Sequence, residues 1–286
     1  MSNNIFFSPS KINLYLEVLS KSENGLHNLN SLMTFTDIGD HIEINDSKNF
    51  FFKAKGRFSN QLGDIKKNII FIALKKLESL INKKLNVEII LTKNLPLGSG
   101  LGGGSSNAAT VVKALIKIYK LNMNQRDLDS LLISIGSDVP FCFHGKSAIL
   151  NGIGDKLLFV SKLKEYDLLL VNPLVEVSTK KIFEKVEKFN DKPTIYNNLS
   201  SDDSILQTIS KSSNDLENIA VNVYPEIGSI LTIFKKTNSI FTRMSGSGGT
   251  CFGLFKSKKD LLEAESIFNL NNKNWWIKKG KILNYI

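Results

Sequence analysis

The 286-residue chain has few cysteines, histidines and arginines, and it lacks any long hydrophobic run. Its two cysteines, Cys142 and Cys251, lie far apart and only three scattered histidines accompany them, which argues against a disulfide framework and against a zinc site. No stretch approaches the roughly 18 apolar residues that a membrane-spanning helix needs, and the first residues lack the pattern of a signal peptide. We therefore expect a cytoplasmic protein with no membrane partner and no metal site built from side chains.

The formal net charge of +10 at pH 7 raises the question of a nucleic-acid partner. Only three of the basic residues are arginines, on which base readout and bidentate phosphate contacts depend. The lysines are spread along the chain in short pairs, such as Lys75 and Lys76, rather than gathered in a long basic block. Charge alone brings only non-specific attraction, and an anionic small-molecule substrate explains it equally well. We expect no nucleic-acid partner, and the sequence leaves the oligomeric state open, with a homodimer among the alternatives.

Glycine, in contrast, is concentrated in one place, because five of the nineteen glycines lie between Gly98 and Gly104. Residues 86–92 before this stretch are rich in β-branched residues and predict a buried strand, and apolar residues from Ala108 to Tyr119 recur at helical spacing. A strand, a glycine-rich turn and a helix in succession form an anion site. Glycine allows close approach of the backbone, and the free N–H groups of the helix start point at the ligand. The pattern predicts a phosphate-binding loop.

Two common phosphate-binding loops do not fit this stretch. A Walker A loop requires a lysine directly after its last glycine, and no lysine has that spacing here. Gly98, Gly100 and Gly103 do satisfy the G-x-G-x-x-G pattern of dinucleotide-binding folds. However, the acidic residue expected about 20 positions later is missing from residues 118–123. The loop therefore belongs to neither class.

Around this loop the chain mixes strands and helices, which predicts an α+β protein with a division near residue 160. In residues 5–20 apolar and polar residues alternate, so one face, which includes Lys11 and Asn13, is expected to be polar. Residues 136–155 suggest hairpin strands, because glycines recur around short apolar runs. Further strands are predicted at 41–45, 50–53, 167–172, 241–244, 251–255 and 275–279, and further helices at 68–82, 127–135, 225–235 and 258–268.

Several residues have the chemistry of an active site, although each also has an ordinary structural explanation. Asp138 would by default be a turn residue that bonds its own backbone, but its apolar neighbours would desolvate it in a way that suits a base. Lys11 and Lys93 would by default be solvated, although Lys93 lies at the mouth of the loop, where phosphate contact is favoured. His27 follows a turn and is either a surface residue or a ligand contact. The Gly/Ser run 244–250 is typical of a hairpin turn, but its length also suits close backbone approach to a ligand.

Three segments taken together resemble the motifs of the GHMP kinase superfamily, named for galactokinase and the homoserine, mevalonate and phosphomevalonate kinases. They are the lysine-containing segment 9–13, the loop 96–109, which reads Pro-Leu-Gly-Ser-Gly-Leu-Gly-Gly-Gly-Ser-Ser-Asn-Ala-Ala, and residues 244–249. The resemblance implies a ribosomal S5 domain 2-like, ATP-binding N-terminal domain over residues 1–158. It also implies a ferredoxin-like C-terminal domain over residues 159–286.

Further segments are most similar to one branch of the superfamily, which acts in the non-mevalonate (MEP) route to isoprenoid precursors. They include 25–29, 136–141, 172–179, 214–217 and 224–227, in family order over nearly the whole chain. The similarity implies transfer of the γ-phosphoryl group of ATP, with Mg²⁺, to the 2-hydroxyl of a methylerythritol that carries a cytidine diphosphate.

The resemblance also implies a role for each residue of the site. Asp138 would accept the hydroxyl proton, and Lys11 would keep Asp138 ionised and offset charge on the transferred group. The nucleotide would be bound by Lys93, Pro96, Leu97, Gly98, Ser99, Gly100, Leu101, Gly102, Gly103, Gly104, Ser105, Ser106 and Asn107. The substrate would be bound by Asn13, Leu26, His27, Met33 and Thr179, with Asn13 at the erythritol hydroxyls and His27 at the cytosine.

Leu26 departs from the family pattern, which usually places a tyrosine there to stack on the cytosine ring. A leucine removes that stacking, and Met33 is expected to supply apolar contact instead. Two alternatives remain at this point: another GHMP small-molecule kinase such as homoserine kinase, and a non-catalytic nucleotide-binding or RNA-binding member of the fold. The segment around His27 disfavours the first alternative. The second predicts loss of Lys11 or Asp138, and both are present.

Overall fold

A computed structural model describes residues 4–23, 25–154, 156–160, 163–191, 194 and 202–286. Its residues divide into two compact units. The first comprises the described residues of Met1–Ser10, Gly39–Leu97 and Gly102–Gly145. The second comprises those of Lys11–Ile38, Gly98–Leu101 and Lys146–Ile286. None of the helices in these ranges has the length and hydropathy that crossing a bilayer requires.

The helices and strands alternate along the chain in the mixed order expected of an α+β protein. The strands are β1 (Asn4–Lys21), β2 (His27–Asp46), β3 (Phe51–Lys55), β4 (Val87–Thr92), β5 (Ala148–Gly152), β6 (Lys156–Phe159), β7 (Asp167–Asn172), β8 (Phe241–Met244), β9 (Cys251–Phe255) and β10 (Trp276–Leu283). The helices are α1 (Ile69–Ile81), α2 (Gly103–Ile118), α3 (Gln125–Ile135), α4 (Val139–His144), α5 (Thr179–Phe183), α6 (Asp202–Lys211), α7 (Glu217–Val223), α8 (Pro225–Phe234) and α9 (Lys258–Asn271). β1 and β2 each contribute residues to both units.

The first unit combines three strands with helices α1 to α4. β4 pairs antiparallel with the second half of β2 and parallel with β3. α1 packs on α2 and α3, and α2 packs on α4. The helices bury apolar stripes with the predicted helical spacing, which are Ile70, Ala73, Leu74 and Leu77 on α1 and Ala108, Val111, Val112 and Leu115 on α2. The buried stripe of α2 fixes the direction of that helix and so the position of its first turn.

The second unit is built on antiparallel pairings in the strand order β6-β5-β2-β10-β7-β9-β8. α8 packs against β8 and β9, and α9 packs against β7, β9 and β10. The core of this unit includes Leu169, Val171, Ile227, Ile230, Phe234, Phe255 and Phe268. The α+β class predicted from sequence is confirmed, whereas the predicted domain boundary after residue 158 stays a prediction.

Most of the predicted elements are confirmed with bounds that shift by a few residues, but one prediction is wrong and one predicted strand is much longer than expected. Residues 139–144, expected to be part of hairpin strands, form the helix α4, which begins after Asp138 and has Pro140 in its first turn, where proline is tolerated. The strand predicted at 41–45 is the end of β2, which runs for 20 residues from His27. Its residues 30–36 are buried on both faces, so a period of two does not reveal them.

The polar face of β1 is buried, which contradicts the solvated lysine that its alternation favours. Lys11, Asn13 and Glu17 are 6%, 3% and 2% exposed. Their polar atoms are hydrogen bonded within the protein: Lys11 Nζ donates to Asn13 Oδ1 (2.6 Å), and Asn13 Nδ2 donates to Ser31 Oγ (2.8 Å). Glu17 in turn accepts from Asn30 Nδ2 (2.8 Å). A buried polar row is tolerated because its members satisfy one another.

Candidate active site

The glycine loop ends at the N-terminus of α2. Gly102 has φ +63°, in the left-handed region that favours glycine, and turns the chain into the helix. Gly102 is also the N-cap residue and has no side chain that could cap this N-terminus. The first N–H groups of a helix have no partner inside the helix, and the helix dipole places partial positive charge there. The start of α2 can therefore bind an anionic phosphate group, as the sequence predicts.

Residues 98–101 of the loop lie against the Gly/Ser run 245–250 between β8 and β9. A Cβ atom at Gly100 would lie only 2.3 Å from the carbonyl oxygen of Ser245, so the two backbones can be this close only with glycine there. Ser245 Oγ donates to the Gly100 carbonyl (2.9 Å), and the Thr250 N–H donates to the Ser99 carbonyl (3.1 Å). The run thus connects two antiparallel strands and also supports the phosphate-binding loop by close backbone approach.

Lys11 is held beside these two glycine-rich segments. Its backbone N–H donates to the Leu101 carbonyl (2.9 Å), and its Nζ lies 3.6 Å from the position of a Cβ at Gly246. Asn13 fixes the ammonium group through Oδ1 (2.6 Å) and is itself fixed by the backbone bond from its N–H to Ser245 Oγ (3.2 Å). The second unit therefore brings Lys11 and Asn13 together with residues 98–101 of the loop.

Thr179 also belongs to this cluster. Its Oγ1 and the Oγ of Ser247 are hydrogen bonded (2.7 Å), so the first residue of α5 is joined to the Gly/Ser run. Ser178 caps α5 by accepting from the Lys181 N–H (3.3 Å). Thr179 therefore lies beside the Gly/Ser run, and its contact with a substrate stays a prediction.

Asp138 is half-buried and stands at the N-terminus of α4 in the first unit. It is the N-cap residue of α4, and its side chain makes no capping hydrogen bond to that helix. The residues that follow are apolar and fully buried: Val139 and Phe141 are both 0% exposed. Its predicted role as base stays a prediction.

Lys93 is buried against Asp40, a residue that the sequence did not single out. Lys93 Nζ and Asp40 Oδ2 form an ion pair at 2.5 Å, and their side chains are 4% and 0% exposed. Burial lowers the pKa of Lys93, and the charge of Asp40 opposes that shift. The ammonium lies 3.2 Å from the position that a Cβ atom would take at Gly103, the first residue of α2. The solvated alternative for Lys93 is wrong, and its contact with the nucleotide stays a prediction.

Asp40 is hydrogen bonded to the segment before the glycine loop and to the beginning of α2. Its Oδ1 accepts from the N–H groups of Asn94 (2.7 Å) and Leu95 (2.9 Å), and its Oδ2 also accepts from Asn107 Nδ2 (3.0 Å). Ser8 Oγ donates to Asn107 Oδ1 (2.7 Å), which extends the network to β1. The side chain of Asn107, predicted to bind nucleotide, thus points into the protein and positions the helix start.

The other predicted nucleotide-binding residues differ in exposure. Ser106 is 2% exposed and its hydroxyl accepts from Ser8 Oγ (3.0 Å), whereas Ser105 is half-buried. Pro96 is buried and Leu97 is 41% exposed. The contacts of these four residues with a nucleotide stay predictions.

A second candidate subsite surrounds His27 in the second unit. The ring of His27 lies 5.1 Å from that of Phe183 and 6.4 Å from that of Phe189, centroid to centroid. In the part of the chain that the structure describes, its Nε2 is buried and has no hydrogen-bond partner. Burial, and then the charge of Lys21, lower the pKa of His27, so the ring is neutral at pH 7. Aromatic rings around an unsatisfied polar atom suit a flat, polar-edged ligand.

The remaining predicted substrate residues lie near this subsite in sequence but differ in exposure. Leu26 is 50% exposed, whereas Met33 is 1% exposed in β2. The predicted apolar contact of Met33 with a base stays a prediction. Phe183 and Phe189 were missed, because no local pattern links them to His27 and only the fold brings the three rings together.

The chain matches two family models, described as GHMP kinases N terminal domain (residues 68–146) and GHMP kinases C terminal (residues 196–274). It is 33% identical over 280 residues to a protein of Sinorhizobium medicae named 4-diphosphocytidyl-2-C-methyl-D-erythritol kinase, covering 95% of this chain and 92% of that one. A protein of the same name from Agrobacterium fabrum is 35% identical over 277 residues, covering 94% and 93%.

Solved structures agree with these relatives. A crystal structure of 4-(cytidine 5'-diphospho)-2C-methyl-D-erythritol kinase has a TM-score of 0.79 at 26% identity, covering 97% of this chain and 98% of that one. Homoserine kinase from Cytophaga hutchinsonii has a TM-score of 0.69 at 18% identity, covering 100% and 96%, which is a likeness of fold alone.

Proposed function

Because the chain belongs to the GHMP kinases and is an ATP-dependent small-molecule kinase, we propose that it phosphorylates the 2-hydroxyl of 4-diphosphocytidyl-2-C-methyl-D-erythritol. The products are the 2-phosphate and ADP, in non-mevalonate isoprenoid precursor biosynthesis. The relatives of that name support this choice, since they are 33% and 35% identical over more than nine tenths of the chain.

The observation that carries the substrate choice is the environment of His27. A cytosine ring offers flat faces and an edge with hydrogen-bond donors and acceptors, which match the rings of Phe183 and Phe189 and the unsatisfied Nε2 of His27. A neutral imidazole has one donor and one acceptor nitrogen, as recognition of such an edge requires. Homoserine and mevalonate have no aromatic ring, so they would leave this subsite unused.

The proposed reaction is an in-line transfer that depends on positioning and electrostatics. The oxygen of the substrate 2-hydroxyl forms a bond to the γ-phosphorus as the bond between that phosphorus and the β–γ bridging oxygen breaks, and ADP leaves. The hydroxyl proton passes to the carboxylate of Asp138. Lys11 offsets the charge on the transferred group, and Asn13 orients both Lys11 and the erythritol hydroxyls. The N–H groups of the glycine loop and of the start of α2 bind the ATP phosphates.

We propose Mg²⁺ as the ion that accompanies ATP. The described residues contain no group of three or more His, Cys, Asp or Glu side chains that could hold a metal ion. Mg²⁺ does not need such a group, because it keeps several waters and is usually bound by substrate phosphates with one or two protein oxygens. The hydroxyl of Ser105, in the first turn of α2, is a suitable protein ligand. When bound, the ion would offset negative charge on the phosphates.

The wider assignment follows from the same proposal. Residues 1–158 would form the ATP-binding domain and residues 159–286 the C-terminal domain, which the two family models support by matching on either side of that boundary. We also propose that the enzyme acts in the cytoplasm. A homodimer is a further hypothesis, which light scattering on the purified protein would test.

The experiment that tests the function offers the purified enzyme ATP with each of three acceptors: the diphosphocytidyl substrate, homoserine and mevalonate. We expect ADP release and a new phosphomonoester with the first acceptor alone, measured by a coupled assay and by mass spectrometry. Phosphorylation of homoserine alone would rule out the proposed substrate while leaving the kinase assignment in place.

His27→Ala is expected to raise the KM for the diphosphocytidyl substrate about tenfold, because it removes the polar atom that faces the base and part of the aromatic wall. The kcat at saturating substrate and the KM for ATP should change less than about twofold, since uniform binding energy is lost without loss at the reacting atoms. Steady-state kinetics with each substrate varied in turn measure both. A loss of kcat with unchanged KM would contradict the placement of the base.

A further inference from the structure

The segment that carries Phe183 and Phe189 is attached to the rest of the second unit at both ends. At its start, Thr179 is hydrogen bonded to Ser247 (2.7 Å). Beyond Phe189, the N–H of Asn190 donates to the carbonyl of Val18 on β1 (2.8 Å). Phe189 itself is 40% exposed, so packing alone does not fix its ring. The position of this aromatic wall therefore depends on the attachment of its far end.

Thr194, just beyond that attachment, is held at three points by side chains of β1 and β2. Glu17 Oε2 accepts from the Thr194 N–H (2.9 Å), and Glu17 Oε1 accepts from the Thr194 hydroxyl. The Thr194 carbonyl accepts from Asn30 Nδ2 (3.1 Å). Asn30 is itself fixed, because its Oδ1 accepts from the hydroxyl of Tyr15 (3.1 Å). One residue of the segment thus has its N–H, its carbonyl and its hydroxyl all bound.

The carboxylate of Glu17, which accepts two of these hydrogen bonds, is buried, since Glu17 is 2% exposed. A buried carboxylate needs donors to offset its lost hydration, and here Asn30 and Thr194 supply them. Such hydrogen bonds to a charged group are shorter, stronger and more directional than neutral ones. Glu17 consequently fixes the place of Thr194 more sharply than apolar contact would.

We propose that Glu17 is a positioning residue for substrate specificity: through Thr194 it holds the aromatic wall of Phe183 and Phe189 against His27 and thereby sets the affinity for the nucleobase of the substrate. The inference rests on the proposed function, because the base belongs to the proposed substrate. Glu17 acts on binding of the base and not on the transferred phosphoryl group.

The test replaces Thr194, which lies outside the core, so that the fold is preserved. Thr194→Val keeps the shape of the side chain and removes the hydroxyl donor to Glu17. We expect a rise of about fivefold in the KM for the diphosphocytidyl substrate, corresponding to one lost hydrogen bond. The KM for ATP and the kcat at saturation should stay within about twofold. Thr194→Ser restores the donor and should return the KM to that of the wild type.

Glu187→Gln is the matched control, because Glu187 is an exposed carboxylate on the same segment. It should leave every constant unchanged. The wild type could be active while Thr194→Val and Thr194→Ser have equal KM values for the diphosphocytidyl substrate. That result would overturn this inference and leave the proposed function in place. The inference would also fail if Thr194→Val lowered kcat to the same extent whichever substrate is varied, as a general loss of structure would. A wild type that does not turn over the diphosphocytidyl substrate would overturn the proposed function and this inference with it.

Discussion

Asp138→Asn is expected to lower kcat by about 10²–10⁴-fold, because an amide cannot accept the proton of the attacking hydroxyl. The affinity for ATP should change less than about twofold, since the proposed phosphate contacts are with the glycine loop and the start of α2 and not with Asp138. The Asp138 side chain makes no capping hydrogen bond to α4, so the substitution should leave that helix intact. Steady-state kinetics give kcat, and calorimetric titration with a non-hydrolysable ATP analogue gives the affinity.

A matched control is Asp129→Asn on α3, a carboxylate of the same unit that bonds to Gln125 on its own helix (2.7 Å). It should leave kcat unchanged. Unchanged turnover in Asp138→Asn would refute the role of Asp138 as the base. It would favour a mechanism in which the hydroxyl loses its proton directly to the transferred phosphoryl group.

The α+β class and the glycine loop could be predicted because both depend on contiguous residues, whereas the kinase assignment came from the resemblance of three separate segments to one family. The loop 96–109 encodes its own geometry: glycines allow the left-handed turn at Gly102, and the apolar spacing after it fixes the helix that presents free N–H groups. The helix α1 is equally local, since its apolar stripe and the capping Asn68 lie within one stretch of sequence. Local patterns of this kind do not depend on what the rest of the chain does.

The aromatic subsite and the buried carboxylates could not be predicted, because they depend on contacts between segments that are distant in sequence. Phe183 and Phe189 reach His27 only through the fold. Glu17 and Asp40 are acidic residues, which are mostly exposed in proteins. Both are buried here, and the neighbouring sequence does not indicate which groups will donate hydrogen bonds to them. The alternation of β1 misled for the same reason, since a polar face can be buried where polar partners from elsewhere meet it.

Asp40→Asn is expected to lower the free energy of unfolding by about 3–5 kcal/mol, because it removes one partner of a buried ion pair. The amide oxygen can still accept from the Asn94 and Leu95 N–H groups, but the amide NH₂ would face the ammonium of Lys93. Lys93 would then be a buried cation without its counter-charge. Urea denaturation followed by circular dichroism measures the change, and Glu88→Gln, in the solvent-exposed pair with Lys53, is the matched control with little expected effect.

The destabilisation should also depend on pH with a definite sign. Burial already lowers the pKa of Lys93, and loss of Asp40 removes the charge that opposes this shift. The folded variant would then release the Lys93 proton at a lower pH than the unfolded chain does. Between those two pKa values the unfolded state binds more protons than the folded state. The stability of Asp40→Asn should therefore rise with pH on the alkaline side, up to the ordinary pKa of lysine at about 10.4.

The double variant Asp40→Asn/Lys93→Met decides whether the lost stability comes from the uncompensated charge. Removing both charges takes away the buried cation, so the double variant should be more stable than Asp40→Asn alone and should lose the alkaline rise in stability. If the effects of Asp40→Asn and Lys93→Met instead added, the cost would come from the lost acceptor for Asn107 Nδ2, not from the ion pair. Asp40 would then organise the phosphate-binding loop by hydrogen bonding alone, and the charge of Lys93 would be balanced by other groups.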